Sequence, residues 1–151
     1  MQQAVDLYVR ATASLTRLGN AFGPLALRLL LAWEFGTAGL EKLRGQNWFA
    51  DIQDGLPFPF HLVPVEASWF LATWSELLGA ALLVAGFATR LTSAALIVLT
   101  VVAWVAVHAG LGYNVCDNGW KLPLIYLVMF VPLLLGGGGL LSLDHAITRQ
   151  R

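Results

Sequence analysis

The chain has 151 residues and carries nine basic and nine acidic side chains, so its formal net charge is zero. Charged residues make up 12% of the sequence and hydrophobic residues 58%, whereas a soluble domain of this size is about 25% charged. These values exclude an ordinary soluble domain and the basic surface that binds nucleic acid. They predict an integral membrane protein, with residues 1–151 forming a single domain in contact with the lipid bilayer.

The first twenty residues are too polar to cross a membrane. Their apolar positions recur at spacings of three or four, whereas Asp6, Arg10 and Arg17 fall elsewhere. This pattern is typical of an amphipathic helix that lies on the membrane surface; an ordinary helix packed beneath the other helices is the alternative. The apolar positions are Leu7, Tyr8, Ala11, Leu15, Leu18 and Phe22.

Four hydrophobic segments follow, at about residues 24–43, 67–88, 91–111 and 121–141. Each has about 20 residues, the length at which a helix crosses a bilayer. The sequence therefore predicts an all-α fold: an integral membrane four-helix bundle with an N-terminal amphipathic surface helix. The four glycines 136–139 weaken the end of the fourth segment.

Basic residues near the segment ends predict the orientation, because they are enriched in cytoplasmic loops. Lys42, Arg44 and Lys121 lie on one side of the predicted bundle. The larger group lies on the other side, so both chain termini are predicted to be cytoplasmic. That group contains Arg10, Arg17, Arg28, Arg90, Arg149 and Arg151.

This orientation places two loops outside. Residues 45–66 contain three prolines and several aromatic residues, which favour a restrained segment at the membrane interface. We expect this loop to form a lid over the outer mouth of the bundle. Residues 110–120 are rich in turn-forming residues and contain the single cysteine.

Charged residues interrupt the hydrophobic segments at Arg28, Glu34, Glu41, Lys42 and Glu76. An unpaired charge at the bilayer centre costs roughly 2.5–3.5 kcal/mol on insertion scales. Two carboxylates near the middle of neighbouring helices, Glu34 and Glu76, can face each other and share a proton. The pattern predicts a polar binding site or a proton path inside the bundle. A buried ion-pair network that fixes helix register is the alternative.

His108 and Cys116 lie near the outer end of the third segment. Imidazole and thiolate suit copper or zinc, and sulfur favours copper(I). The spacing matches no closed metal site, so a third ligand would have to come from His61, Met129 or the substrate. The alternatives are a helix-end histidine bonded to a carbonyl, and a cysteine that is inert or forms an intermolecular disulfide. A single cysteine excludes an intramolecular dithiol reaction.

Several strings resemble a known family. Arg28, GLEKL at 39–43, Glu76, GFATR at 86–90 and GLLSLD at 139–144 resemble the DoxX family of small four-helix bacterial membrane proteins. Longer strings resemble the branch found beside copper-binding, ribosomally made peptides, the bufferin-type clusters. These strings are WEFGTAGLEKLRGQNWFADI, FPFHLVP, WFLATWSELL and GYNVCDNGWKLPLIYLVM.

The resemblance implies an accessory protein of the bacterial inner membrane that acts in copper homeostasis or copper-peptide maturation, with or without a redox step. It implies a membrane or periplasmic protein or peptide as partner. It marks Arg28, Lys42, Glu76, Arg90 and Asp144 as family positions without an assigned catalytic role, and suggests that Arg90 pairs with Asp144.

DoxX relatives also include a subunit of a thiosulfate:quinone oxidoreductase. The alternative function is therefore a membrane subunit of a quinone-linked oxidoreductase, which needs an apolar cavity near Glu34, Glu76, Trp33 and Trp74. A structural scaffold of a membrane complex is the second alternative. The sequence leaves open whether the protein is an enzyme and whether copper or quinone is its cofactor.

Overall fold

The computed structural model describes residues 1–149, so Arg151, one of the basic residues used to predict orientation, lies outside the described residues. The regular structure in this range is entirely helical, with no strand, as predicted. The five α-helices are α1 (Gln2–Arg44), α2 (Val65–Ala85), α3 (Thr89–Ala103), α4 (Lys121–Gly136) and α5 (Leu143–Thr148). A π-helical turn (Trp104–His108) continues α3, and two short 3₁₀ helices (Phe49–Gly55 and Phe60–Leu62) lie between α1 and α2.

Helix α1 is 43 residues long and runs without a break through Pro24. The predicted division into a surface helix and a separate span that begins at Pro24 is therefore wrong. Proline has no backbone N–H group, so Pro24 removes one hydrogen bond from the helix, and this single loss does not end α1. Within residues 1–20 only Thr12 is partly buried, so the alternative of a helix packed beneath the others is wrong as well.

Within residues 1–149, two stretches of helix are long and apolar enough to cross a membrane, Val65–Ala85 and Thr89–His108. The apolar helix α4 is shorter. It ends at Gly136 instead of continuing to residue 141, because Gly137 takes up a backbone φ of +80°, which glycine tolerates and other residues disfavour. The third helical stretch likewise ends at His108 and not at residue 111.

The first four helices share one hydrophobic core. Helix α1 packs against α2 and α4, and α3 packs against the same two helices. Helices α2 and α3 approach closely at Gly79, where a side chain would collide with Leu96. The core consists of Leu31, Ala32, Phe35, Ala80, Leu83, Leu96, Phe130 and Leu133.

The two ends of the packed helices differ in their connections. At one end, here called the hairpin end, a short turn joins α2 to α3 and α5 packs beside it. Gly86 ends α2 with a left-handed φ of +63°. The other end, here called the lid end, carries residues 45–64, which we call the lid, and the loop 110–120.

Candidate binding cavity

A cavity of about 940 Å³ lies between the helices at the lid end. This volume is near the upper limit of the range of about 300–1,000 Å³ that is usual for small-molecule sites. Helices α1 to α4 and the lid all contribute to its walls. The apolar lining includes Phe35, Phe49, Leu56, Val98, Leu99 and Val102.

The lid is held against the helices by aromatic and polar contacts. The rings of Trp48, Phe49 and Trp69 form a cluster with centroid separations of 5.0–6.0 Å and edge-on geometry. Asn47 accepts a hydrogen bond from the Phe49 amide at 3.0 Å and donates one to Glu66 at 3.2 Å. The lid therefore forms a fixed cover whose residues line the cavity.

Lys42 and Glu76 form an ion pair in the cavity wall. The Lys42 Nζ atom donates to both carboxylate oxygens of Glu76 at 2.9 Å. The two side chains are only 17% and 9% exposed. Because the pair carries no net charge, it lowers the cost of placing either group among apolar side chains.

Glu34 has a different partner. The Tyr126 hydroxyl donates to Glu34 Oε2 at 2.6 Å, which links α4 to α1. The Tyr126 ring also packs against Phe35 at 5.8 Å. The sequence interpretation missed Tyr126, although it is the only hydroxyl-bearing side chain in α4.

Four of the five predicted polar residues line the cavity: Glu34, Glu41, Lys42 and Glu76. Glu34 and Glu76 do not pair with each other, because each is hydrogen-bonded to another side chain. The predicted carboxylate pair that shares one proton is therefore wrong. The arrangement is two hydrogen-bonded pairs, Lys42–Glu76 and Tyr126–Glu34, at the wall of one apolar cavity.

Arg28 lies outside the cavity, at the hairpin end. Its side chain is 1% exposed, and its guanidinium donates to the carbonyl oxygens of Gly138 at 2.9 Å and Leu141 at 2.8 Å. These bonds tie α1 to the segment that follows α4. Arg28 was predicted to belong to the polar binding site, and this prediction is wrong because Arg28 lies at the hairpin end and is not among the residues that line the cavity.

Asp144 also has backbone partners. Its carboxylate accepts from the amides of Ala88 at 2.7 Å and Thr89 at 2.8 Å, which caps the first turn of α3. Burial raises the pKa of Asp144, but hydrogen bonds from Thr89 and Ala88 and the charge of Arg28 outweigh that effect and lower the pKa overall. Arg90 donates to the Leu135 carbonyl instead, so the suggested pairing of Arg90 with Asp144 is wrong.

The two candidate metal ligands are not brought together as a metal site. His108 Nδ1 donates to the Asn118 carbonyl, and Cys116 is exposed in the loop. Across residues 1–149, no group of three His, Cys, Asp or Glu side chains is placed to hold a metal ion. Met129 packs against the hydrophobic core, and the His61 ring lies beside the Phe58 ring in the lid at a tilted angle. The alternative of a carbonyl-bonded histidine agrees with the structure.

Trp33 and Trp74 were predicted to line a quinone cavity, and neither lies among the described residues that line the large cavity. Trp33 is 69% exposed on the outer face of α1. It directly precedes Glu34, and adjacent residues of a helix point about 100° apart. Trp74 lines a separate surface hollow of about 360 Å³ beside Trp69.

Residues 23–109 match the DoxX family. An uncharacterized protein of Haemophilus influenzae is 52% identical over 132 residues, which cover 87% of each chain. The chain belongs to the DoxX family. No solved structure matches it.

Within this DoxX chain, the five positions that the sequence resemblance singled out separate into two groups. Lys42 and Glu76 pair at the cavity, whereas Arg28, Arg90 and Asp144 bond to the backbone at the hairpin end. The matched range contains the Lys42–Glu76 pair but ends before α4. The cavity therefore combines residues inside the DoxX match with a tyrosine outside it.

Proposed function

We propose that this DoxX protein is a four-helix bundle of the bacterial inner membrane that binds a quinone in its cavity, as the membrane subunit of a quinone-linked oxidoreductase. The observation that carries the proposal is the cavity of about 940 Å³, with its apolar walls and the two hydrogen-bonded pairs Lys42–Glu76 and Tyr126–Glu34. In this proposal α1 from about residue 24, α2, α3 and α4 cross the membrane. Both termini face the cytoplasm, and the lid faces the periplasm.

The polar groups of the cavity match the two redox forms of a quinone head group. An ammonium group has three N–H donors, and Lys42 uses two of them on Glu76, so a third remains for a quinone carbonyl. The Tyr126 hydroxyl donates a hydrogen bond to Glu34, which leaves the Tyr126 oxygen as an acceptor for a quinol hydroxyl. The apolar walls suit the ring and the beginning of the tail.

The first test is quinone analysis of protein purified in mild detergent. We expect near-stoichiometric quinone in an organic extract of the wild type, and binding of decylubiquinone when tryptophan fluorescence is followed. Lys42→Met should weaken this binding about tenfold, since a hydrogen bond from a charged donor contributes roughly 1.5 kcal/mol. Arg44→Met, which changes an exposed cation two residues away, is the control and should bind normally.

The proposal fails if the wild type carries no quinone, does not bind decylubiquinone and shows no donor-dependent quinone reduction with its membrane partners. Proportional loss of abundance and of function in Glu34→Gln and Glu76→Gln would instead support a structural scaffold. A scaffold role requires the two hydrogen-bonded pairs only for folding, so the measured function would fall in proportion to the amount of folded protein.

A copper-handling accessory role is the second candidate. It is supported by the strings that resemble the copper-peptide branch and by the exposure of Cys116 at the lid end. Metal analysis of wild type and Cys116→Ser, both purified after growth with added copper, tests it. Stoichiometric copper that is lost in the variant supports this role, whereas no copper in either protein argues against it.

A further inference from the structure

Ten residues that line the cavity are also exposed on the outside of the molecule, and four of them lie on α2 and α3. These four are Leu71 and Ser75 on α2, and Ala95 and Val98 on α3. Leu71 is 57% exposed and Val98 is 52% exposed. A side chain that faces both the interior and the exterior marks the rim of an opening. We call these four residues the α2–α3 window.

Helices α2 and α3 have different neighbours at their two ends. At the hairpin end a short turn joins them, and Gly79 brings α2 close to Leu96. At the lid end the 3₁₀ helix Phe49–Gly55 packs against both α2 and the π-helical turn. The lid therefore contacts both helical stretches at the lid end, beyond the point where Gly79 brings α2 and α3 together.

The window lies half-way along both helical stretches. Ser75 is at the centre of Val65–Ala85, and Val98 is close to the centre of Thr89–His108. If these stretches cross the membrane, the window lies near the bilayer midplane, where the surroundings are hydrocarbon. The other six exposed residues of the cavity lie at the lid end, and they are Glu41, Trp48, Phe60, Val115, Asn118 and Leu122.

We infer that the α2–α3 window is the route by which a membrane-soluble ligand enters the cavity sideways from the bilayer, and that its hydrocarbon tail stays in the window. The inference rests on the proposed function. Ser75 and Glu76 both line the cavity, so a head group that passes the window enters the same cavity as the Lys42–Glu76 pair. The small side chains of Ser75 and Ala95 leave room for a tail between the helices.

One experiment tests the window without any ligand. Single cysteines at Ser75, Val98 and Asn118, each introduced with Cys116→Ser, receive a nitroxide spin label in lipid nanodiscs. We expect oxygen, which concentrates in hydrocarbon, to relax the labels at 75 and 98, and a water-soluble nickel chelate to relax the label at 118. Nickel access at 75 and 98 equal to that at 118 would overturn the inference, because the window would then be open to water.

A second experiment blocks the window. Ala95→Trp fills its rim, and Ala81→Trp places the same residue on an exposed position of α2 outside the cavity lining. With decylubiquinone as the probe, we expect association to be about tenfold slower in Ala95→Trp and unchanged in Ala81→Trp. Equal rates in Ala95→Trp and wild type overturn the inference. Absence of binding to the wild type overturns the proposed function instead, and the spin-label result still decides the window.

Discussion

The hairpin end and the lid end both place charged side chains among buried residues, but they satisfy these groups in different ways. At the hairpin end Arg28 donates to backbone carbonyls and Asp144 accepts from backbone amides. At the lid end Lys42 bonds to Glu76 and Tyr126 bonds to Glu34, with a cavity beside both pairs.

This difference separates structural from functional charges. A charged side chain that bonds to the backbone fixes the course of the chain. A pair of side chains at a cavity wall keeps spare donors or acceptors and can rearrange around a ligand. A charge inside a hydrophobic segment therefore does not identify a binding site until its partner is known.

The largest effect is expected at the hairpin end, for Arg28→Ala. This change leaves the carbonyls of Gly138 and Leu141 without their donor, at a cost of about 3 kcal/mol if each contributes 1–2 kcal/mol. The melting temperature should fall by roughly 6–12 °C, and the amount of protein in the membrane should drop. Arg17→Ala, an exposed arginine on the same helix, is the control. A wild-type melting curve for Arg28→Ala would remove the structural role assigned to this residue.

The Lys42–Glu76 pair should give the next largest effect. Lys42→Met leaves a mostly buried carboxylate without its partner, and we expect a loss of about 1–3 kcal/mol. The double variant with Glu76→Gln should recover part of this loss, since no unpaired charge remains. Thermal unfolding of the two single variants and the double variant measures the coupling. Strictly additive losses would show that the two residues contribute independently.

Tyr126→Phe should have a smaller effect on stability. The variant loses the hydrogen bond to Glu34 but keeps the ring that packs on Phe35, so the expected loss is about 1 kcal/mol. Ligand binding should weaken more clearly than stability, because the lost hydroxyl lies in the cavity wall. Tyr8→Phe, an exposed position on the same protein, should change neither property. Unchanged ligand binding in Tyr126→Phe would place the head group elsewhere.

The smallest effect is expected from the pH dependence of Asp144. The pKa of its carboxyl group is lowered in the folded protein, so its contribution to stability is complete above the ordinary value of 3.8 and is lost as the pH falls through the lowered value. Between pH 3.8 and the lowered pKa, we therefore expect the melting temperature to fall less steeply in Asp144→Asn than in wild type, when it is measured from pH 7 downward. Identical acid profiles would show that the cap at Ala88 and Thr89 contributes no pH-dependent stability.

Much of the fold follows from local patterns in the sequence. Hydrophobic runs of about 20 residues predict the helices, and the short interval between the segments 67–88 and 91–111 predicts the α2–α3 hairpin. The predicted bounds fail at two single residues: Pro24 does not begin a separate helix, and Gly137, with its positive φ, stops α4 before residue 141. Such outcomes depend on the packing around one peptide unit, which periodicity does not contain.

The sequence predicted only part of the site, because the partner of each side chain also depends on packing that periodicity does not contain. The charges of Lys42 and Glu76 stand out in apolar segments, so the sequence reveals that they need partners. Trp33 was wrongly assigned to the cavity because nearness in sequence to Glu34 does not give the same helix face. Tyr126 was missed because a tyrosine in an apolar helix gives no sign of the acidic group that it will meet.

The sequence alone determined the all-helical class, the DoxX resemblance and the set of charges that must be buried. The tertiary structure decided which group each charge bonds to. The pairs join residues that are far apart along the chain: Lys42 and Glu76 are 34 positions apart, Glu34 and Tyr126 are 92, and Arg28 and Gly138 are 110. Helical periodicity relates residues within a few turns of one helix, whereas these contacts depend on how four helices are rotated and packed against one another.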